Sequence, residues 1–240
     1  MSQLSSTIFS DPLVAQLLCS IDINVPRPIS PQAILSIEDL TALVQATFTH
    51  PHGVLLRPLF LLAFFGFVRI SNLLPKSALH YDPHFTLLRQ DVALSSQHAT
   101  ITLKFTKSRQ SRSRLSYVQV PVLNNSILCP VRAVSQLLAL EPLPSEAPLF
   151  ARRLQGQIRP LTQVQARQAL ATLCSNLNIS YKALGFHGFR RSGVSFLYSH
   201  QVSLQHLQHH GTWSSQAIYN YLANSATSTV VPSAFQHLLA

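Results

Sequence analysis

Between Arg57 and Arg69 lie eleven consecutive residues, PLFLLAFFGFV, without a polar side chain. That is too short to cross a bilayer, which takes about twenty apolar residues in a helix. A segment hydrophobic on every side must instead be surrounded by protein, so the run predicts a buried helix that the rest of the fold encloses. At 240 residues the chain can bury a real core, as one large domain or one domain with a short arm. Its 47% hydrophobic and 11% charged residues fit a globular chain rather than a disordered one.

The remaining segments can be ordered around that helix. Residues 1–30 are rich in Ser and Pro and read as an arm or linker. Ser36-Ile37-Glu38-Asp39 opens a helix with Leu40, Leu43 and Val44 at helical spacing. The apolar helix is predicted over 54–74, ending before Pro75, whose ring disfavours a helical residue in front of it. Strand-like pieces follow at 86–94, 100–105 and 115–122. Ile101, Leu103 and Phe105 alternate with polar neighbours, which places residues 107–114 at the tip of a hairpin. Beyond Pro130, helices are predicted at 131–140, 163–177, 189–200, 204–210 and 215–222. The fold class is therefore mainly α with one small antiparallel β-sheet (α+β), in a domain over 31–225 followed by a tail at 226–240.

Charge narrows the partner. The net charge is +10, and residues 92–140 and 147–240 contain no Asp or Glu while carrying Lys and Arg throughout. An anionic partner follows. Arg outnumbers Lys 14 to 4, which suits bidentate contacts to phosphate. The seven glycines form no GxxxxGK[ST] loop, which argues against an ATP motor. Cys19, Cys129 and Cys174 are odd in number and far apart, which predicts a reducing compartment and no disulfide framework. The N-terminus has no secretory pattern, so the sequence reads as soluble and intracellular. His206, His209 and His210 cluster, as do His80 and His84, but neither group has the Cys or acidic partners usual at a zinc site, and no metal is expected.

The C-terminal third gathers one chemical set. His187, Arg190 and Arg191 stand in HGFRRSG, Trp213 in GTWSS, and Tyr219 and Tyr221 follow; upstream, Arg69 and Lys107 add a guanidinium and an ammonium. An enzyme attacking a phosphodiester with a tyrosine needs such groups, to activate a phenol and to neutralise a phosphate. Tyr219 and Tyr221 are two apart, so on a helix only one can face a given phosphate.

These motifs carry a resemblance. FFGFVRISNLLP around Arg69, LKFTKSRQ around Lys107, HGFRRSGVSFLYSHQVS from His187 and GTWSSQAIYNYL ending in Tyr221 resemble the catalytic domain of tyrosine recombinases, the phage integrase-like enzymes. The variant of DIRS-, Ngaro- and Crypton-type transposons is the nearer likeness, with its Trp-x-Ser-x-Ala pattern leading to a final tyrosine. The resemblance implies that Tyr221, rather than Tyr219, attacks the scissile phosphate to form a 3′-phosphotyrosyl link. It implies that Arg69 and Arg190 clamp the non-bridging oxygens, Lys107 protonates the leaving 5′-oxygen and His187 assists removal of the phenol proton. Trp213 would donate its indole N–H to the phosphate or pack the site. The link conserves the phosphodiester energy, so no cofactor is implied. Arg109, Arg112, Arg114 and Arg191 are expected on DNA.

The implied partner is double-stranded DNA, held by a homotetramer away from any membrane, with a nuclear location if the chain is a eukaryotic transposon protein and otherwise a cytoplasmic or nucleoid one. Two positions depart from the family pattern: Asn72 where an acid often follows the first arginine, and Ser192 where a glycine is usual. Residues 1–30 are too few for the family's helical core-binding domain, which reads as a catalytic fragment or a repurposed copy. A domesticated, inactive DNA-binding module and a type IB topoisomerase are the alternatives.

Overall fold

The computed structural model of the chain describes residues 34–104, 115–211 and Ile218. All fall within Ala33–Ala240, the second of two units into which the chain divides.

Helix α1 (Ile37–Ala46) starts as its sequence demands. The Ser36 side chain accepts from Asp39 N while the Asp39 carboxylate accepts from Ser36 N, a reciprocal cap. A 3-10 turn (Thr47–Thr49) leads into α2 (Gly53–Phe65), the apolar helix. From Leu55 to Phe65 every residue of α2 except Arg57 is buried. It packs against α4 (Pro130–Leu140) and α6 (Tyr181–Ser199), so segments far apart in the sequence meet on one central helix.

The predicted helix over 54–74 does not run through. It stops at Phe65; Gly66 caps it, Phe67 takes a left-handed φ of 51°, and Arg69 sits extended before the single turn α3 (Ile70–Leu73). Burial continues unbroken through Val68, and a continuous apolar run cannot distinguish a helix from a chain that folds back within the core.

Strands β1 (Val92–Leu94), β2 (His98–Leu103) and β3 (Ser116–Pro121) form an antiparallel sheet in that order. Ile101 pairs with Val118 and Val92, and the alternation turns Ala99, Ile101, Leu103, Val118 and Val120 into the core. The strand predicted over 86–94 is shorter, because Arg89–Asp91 forms a 3-10 turn closed by Leu88 N donating to Asp91 Oδ2 at 2.8 Å. β2 and β3 are hairpin neighbours as expected; residues 105–114, the predicted tip, lie outside the described residues.

A second hairpin has no counterpart among the predicted strands, so there are two small described sheets rather than one. β4 (Ala151–Leu154) pairs with β5 (Gln157–Pro160) through Gln155 and Gly156, whose φ values of 49° and 78° give the doubly left-handed turn that suits strand twist. ARRL and QIRP show no apolar alternation, and Gln-Gly is a weaker turn signal than Asn-Gly.

Helix α5 (Gln163–Asn176) carries a Thr162–Gln165 capping box. Helix α6 begins before the predicted 189–200, and Gly185 (φ 46°, ψ −179°) breaks it into two helical stretches. α7 (Leu204–His210) matches its prediction. The helix predicted over 215–222 lies outside the described residues apart from Ile218, which is fully buried in the core. No described helix is long and apolar enough to cross a membrane. Cys129 and Cys174 are free and buried, and Cys129 Sγ accepts from Leu123 N and Arg132 N at the start of α4.

Candidate active site

The site is built where α2 breaks. At and just beyond the end of α2, two side chains from the C-terminal helices meet the backbone carbonyls of Phe65 and Phe67. Arg190 donates from Nη1 to Phe67 O and from Nη2 to Gly211 O, the latter at 2.9 Å. His210 Nε2 lies 2.8 Å from Phe65 O. A carbonyl only accepts, so Nε2 carries the proton and the ring is the Nε2–H tautomer when neutral. The His210 ring also stands edge-on to Phe67, 4.8 Å between centroids at 86°.

α6 lies close above the break. Gly193 packs so tightly that a Cβ there would fall 2.1 Å from Phe64 O and 2.8 Å from Phe67 Cε1. Its neighbour Ser192, fully buried, accepts from Leu35 N at 2.7 Å and ties the start of the described chain to the same helix. Ser192 stands where the sequence pattern favoured glycine, and the hydroxyl has this structural use.

Arg69 and Arg190, 121 positions apart, line one small recess of about 10 Å³ with Asn72, Gly211 and, from the sheet, Leu103 and Val118. No described carboxylate lines it. Arg69 is half-buried at the N-cap of α3, and Arg190 is 3% exposed. His187 opens the second stretch of α6, three residues before Arg190 and so on the same face. It keeps a solvent-exposed side, yet desolvation by the protein and then the guanidiniums of Arg191, Arg190 and Arg69 push its imidazole down to about 4. The sequence-predicted Arg69, His187, Arg190 and Arg191 are therefore brought together. Arg191 is buried and acts on His187 more strongly than either other arginine, a closeness its assignment to DNA contact had not anticipated.

Lys107, Arg109, Arg112, Arg114, Trp213 and Tyr221 lie outside the described residues. Lys104, directly after β2, pairs with Asp91 Oδ2 at 2.7 Å and donates to Pro83 O at 3.1 Å. His210, part of a histidine cluster in the sequence, holds carbonyl oxygen; among the described residues no group of three or more His, Cys, Asp or Glu could hold a metal ion. Its signal could have been found only by knowing that the helix breaks at Gly66.

Cationic guanidiniums beside a neutral imidazole, without a lining acid, suit a tetrahedral anion and a proton acceptor close to it. Residues 34–228 match the phage integrase family. The chain belongs to the phage integrase family. Its fold is the tyrosine recombinase catalytic domain, mixed helical with small antiparallel sheets. It is similar to the XerH site-specific recombinase bound to palindromic difH substrate in a post-cleavage complex, with 15% identity and a TM-score of 0.55 over 82% of this chain and 51% of that one. Against the XerH pre-cleavage complex the identity is 17% and the TM-score 0.56, over 82% and 52%. Against the Tn1549 transposon integrase in complex with circular intermediate DNA the values are 13% and 0.58, over 90% and 72%. At these identities the likeness is one of fold. This phage integrase family chain spans about half the length of the XerH chains it matches. No curated protein matches the sequence.

Proposed function

We propose that this chain is a site-specific DNA recombinase that cuts and rejoins double-stranded DNA through a 3′-phosphotyrosyl link on Tyr221, serving a transposon of the DIRS, Ngaro or Crypton kind. The observation that carries the reading is the convergence of Arg69 and Arg190 on one small recess, beside a His187 imidazole whose pKa is lowered by desolvation and then by Arg191, Arg190 and Arg69. Family membership and the DNA-bound state of the XerH and Tn1549 structures support DNA as the partner.

In the proposed reaction the Tyr221 oxygen attacks the scissile phosphorus and its phenol proton passes to neutral His187. Arg69 and Arg190 hold the two non-bridging oxygens, whose charge grows in the transition state; preorganised donors of this kind are worth about 3–4 kcal/mol each. Trp213 adds its indole N–H to the phosphate or packs against it. The 5′-oxygen departs with a proton from Lys107, a role that Lys104, already paired with Asp91, is poorly placed to take. Reversal, with a 5′-hydroxyl attacking the phosphotyrosine, restores the strand without ATP. Arg109, Arg112, Arg114 and Arg191 are proposed to grip the backbone, and strand exchange to occur in a homotetramer on two duplexes.

The test is incubation with nicked DNA from the ends of the element, in EDTA, followed by denaturing electrophoresis. A covalent adduct lost in Tyr221→Phe and retained in Tyr219→Phe is the expected result. Retention in Tyr221→Phe moves the nucleophile to Tyr219. Firm binding without any adduct overturns the enzymatic reading in favour of a DNA-holding module.

A further inference from the structure

We propose that His210 is a positioning residue that fixes Arg69 and Arg190 relative to each other by pinning the broken end of α2. The inference rests on the reading that these two arginines act on one phosphate, but the observations behind it are independent of that chemistry.

Phe65 O belongs to the last turn of α2, and the turn at Gly66–Phe67 takes away the N–H that a continuing helix would have offered. His210 Nε2 replaces it at 2.8 Å. The same ring braces Phe67 edge-on, and Phe67 O is the acceptor of Arg190 Nη1. Arg190 Nη2 then returns to Gly211 O, the residue directly after His210. These contacts close a loop: His210 holds Phe65 and Phe67, Phe67 and Gly211 hold Arg190, and Arg69 follows Phe67 by two residues. Gly211 directly precedes, in the sequence, the segment proposed to carry the nucleophile.

Nothing in the loop requires His210 to touch DNA. Its ring is partly buried, and desolvation, followed by the nearby charges of Arg190 and His209, holds its pKa below the ordinary histidine value, against the opposing pull of the Phe65 carbonyl. That favours the neutral ring that donates from Nε2. A leucine would fill comparable space but offer Phe65 O nothing, whereas glutamine carries an N–H at similar reach.

The experiment compares wild type, His210→Leu and His210→Gln in the full chain, using single-turnover adduct formation on nicked duplex in EDTA together with equilibrium binding of the same DNA. His210→Leu is expected to slow adduct formation about a hundredfold, the cost of misplacing a reacting group by about 1 Å, while DNA affinity changes little. His210→Gln should recover most of the rate. Equal slowing in both variants, or no slowing in His210→Leu, sinks the proposal.

A second readout does not need activity: hydrogen exchange of the Arg190 side-chain N–H groups, followed by NMR. Exchange should be slow in wild type and His210→Gln and fast in His210→Leu. Unchanged exchange in His210→Leu overturns the proposal even if the adduct chemistry holds. Absence of an adduct in wild type with the expected exchange pattern would reject the recombinase reading and leave the positioning role standing.

Discussion

At the scale of residues, three ionisable side chains of one site do different work. Arg190 is buried and uses two donors on carbonyls that define the shape of the site. Arg69 is half-buried at a helix N-cap. Arg190→Ala should therefore cost folding stability, about 2–4 kcal/mol because hydrogen bonds from a charged donor are worth about 1.5–3 kcal/mol each and their carbonyls would be left buried. Arg69→Ala should cost well under half of that; urea unfolding of the two variants side by side makes the comparison.

His187, the third, supplies a pH prediction. Its folded value of about 4 lies below the ordinary 6.5, so the folded protein resists protonating it. Any contribution to stability is complete above pH 6.5 and is lost as pH falls from there toward 4. The open face of the side chain lets solvent screen part of that effect. In an NMR titration of the free protein the His187 ring should titrate near 4, and adding nicked DNA should move it upward, since a phosphate offsets the three guanidiniums. A free-state titration at the ordinary 6.5 would remove the basis for a neutral imidazole poised below neutrality.

At the scale of elements, the break between α2 and α3 matters most. It occurs inside an unbroken apolar run, and what decides it is packing from α6 and α7. Gly193→Ala should destabilise by about 1–3 kcal/mol, the usual range for overpacking, because the added methyl meets backbone rather than a flexible side-chain tip; thermal unfolding measures it. The β4–β5 turn offers the opposite sign. Gln155 occupies a left-handed φ of 49° that asparagine adopts with less strain, so Gln155→Asn should raise stability by up to about 1 kcal/mol in the same assay. The sheet follows its alternation closely, while Arg89–Asp91 leaves the predicted strand because Asp91 caps the turn and receives Lys104.

At the scale of the whole molecule, a net charge of +10 with two long acid-free stretches predicts strongly salt-dependent DNA binding. Substituting Arg109, Arg112 and Arg114 together should reduce the slope of log affinity against log salt by about one unit for each phosphate that these arginines neutralise; an unchanged slope would place them off the DNA. The tail at 226–240, with Phe235, Leu238 and Leu239 at helical spacing, is proposed to dock on a neighbouring copy. Deleting residues after Asn224 should then lower assembly on DNA and leave cleavage by the isolated chain nearly intact; equal loss of both contradicts it.

Much of this was legible in the linear chain. Ser36 and Asp39 announced α1, the alternation at Ile101 and Leu103 announced β2, and Arg69, His187 and Arg190 were identifiable because their flanking motifs resemble a family. Local periodicity and capping reach only a few residues, and these features need no more. The break after Phe65, the unalternating β4–β5 hairpin, the pairing of Lys104 with Asp91 and the grip of His210 on Phe65 O were not legible. Each depends on a partner elsewhere in the fold or on turn geometry. A freed carbonyl, a buried charge or a left-handed residue gains its reason only when another segment arrives beside it, and no pattern within a single stretch of chain encodes that arrival.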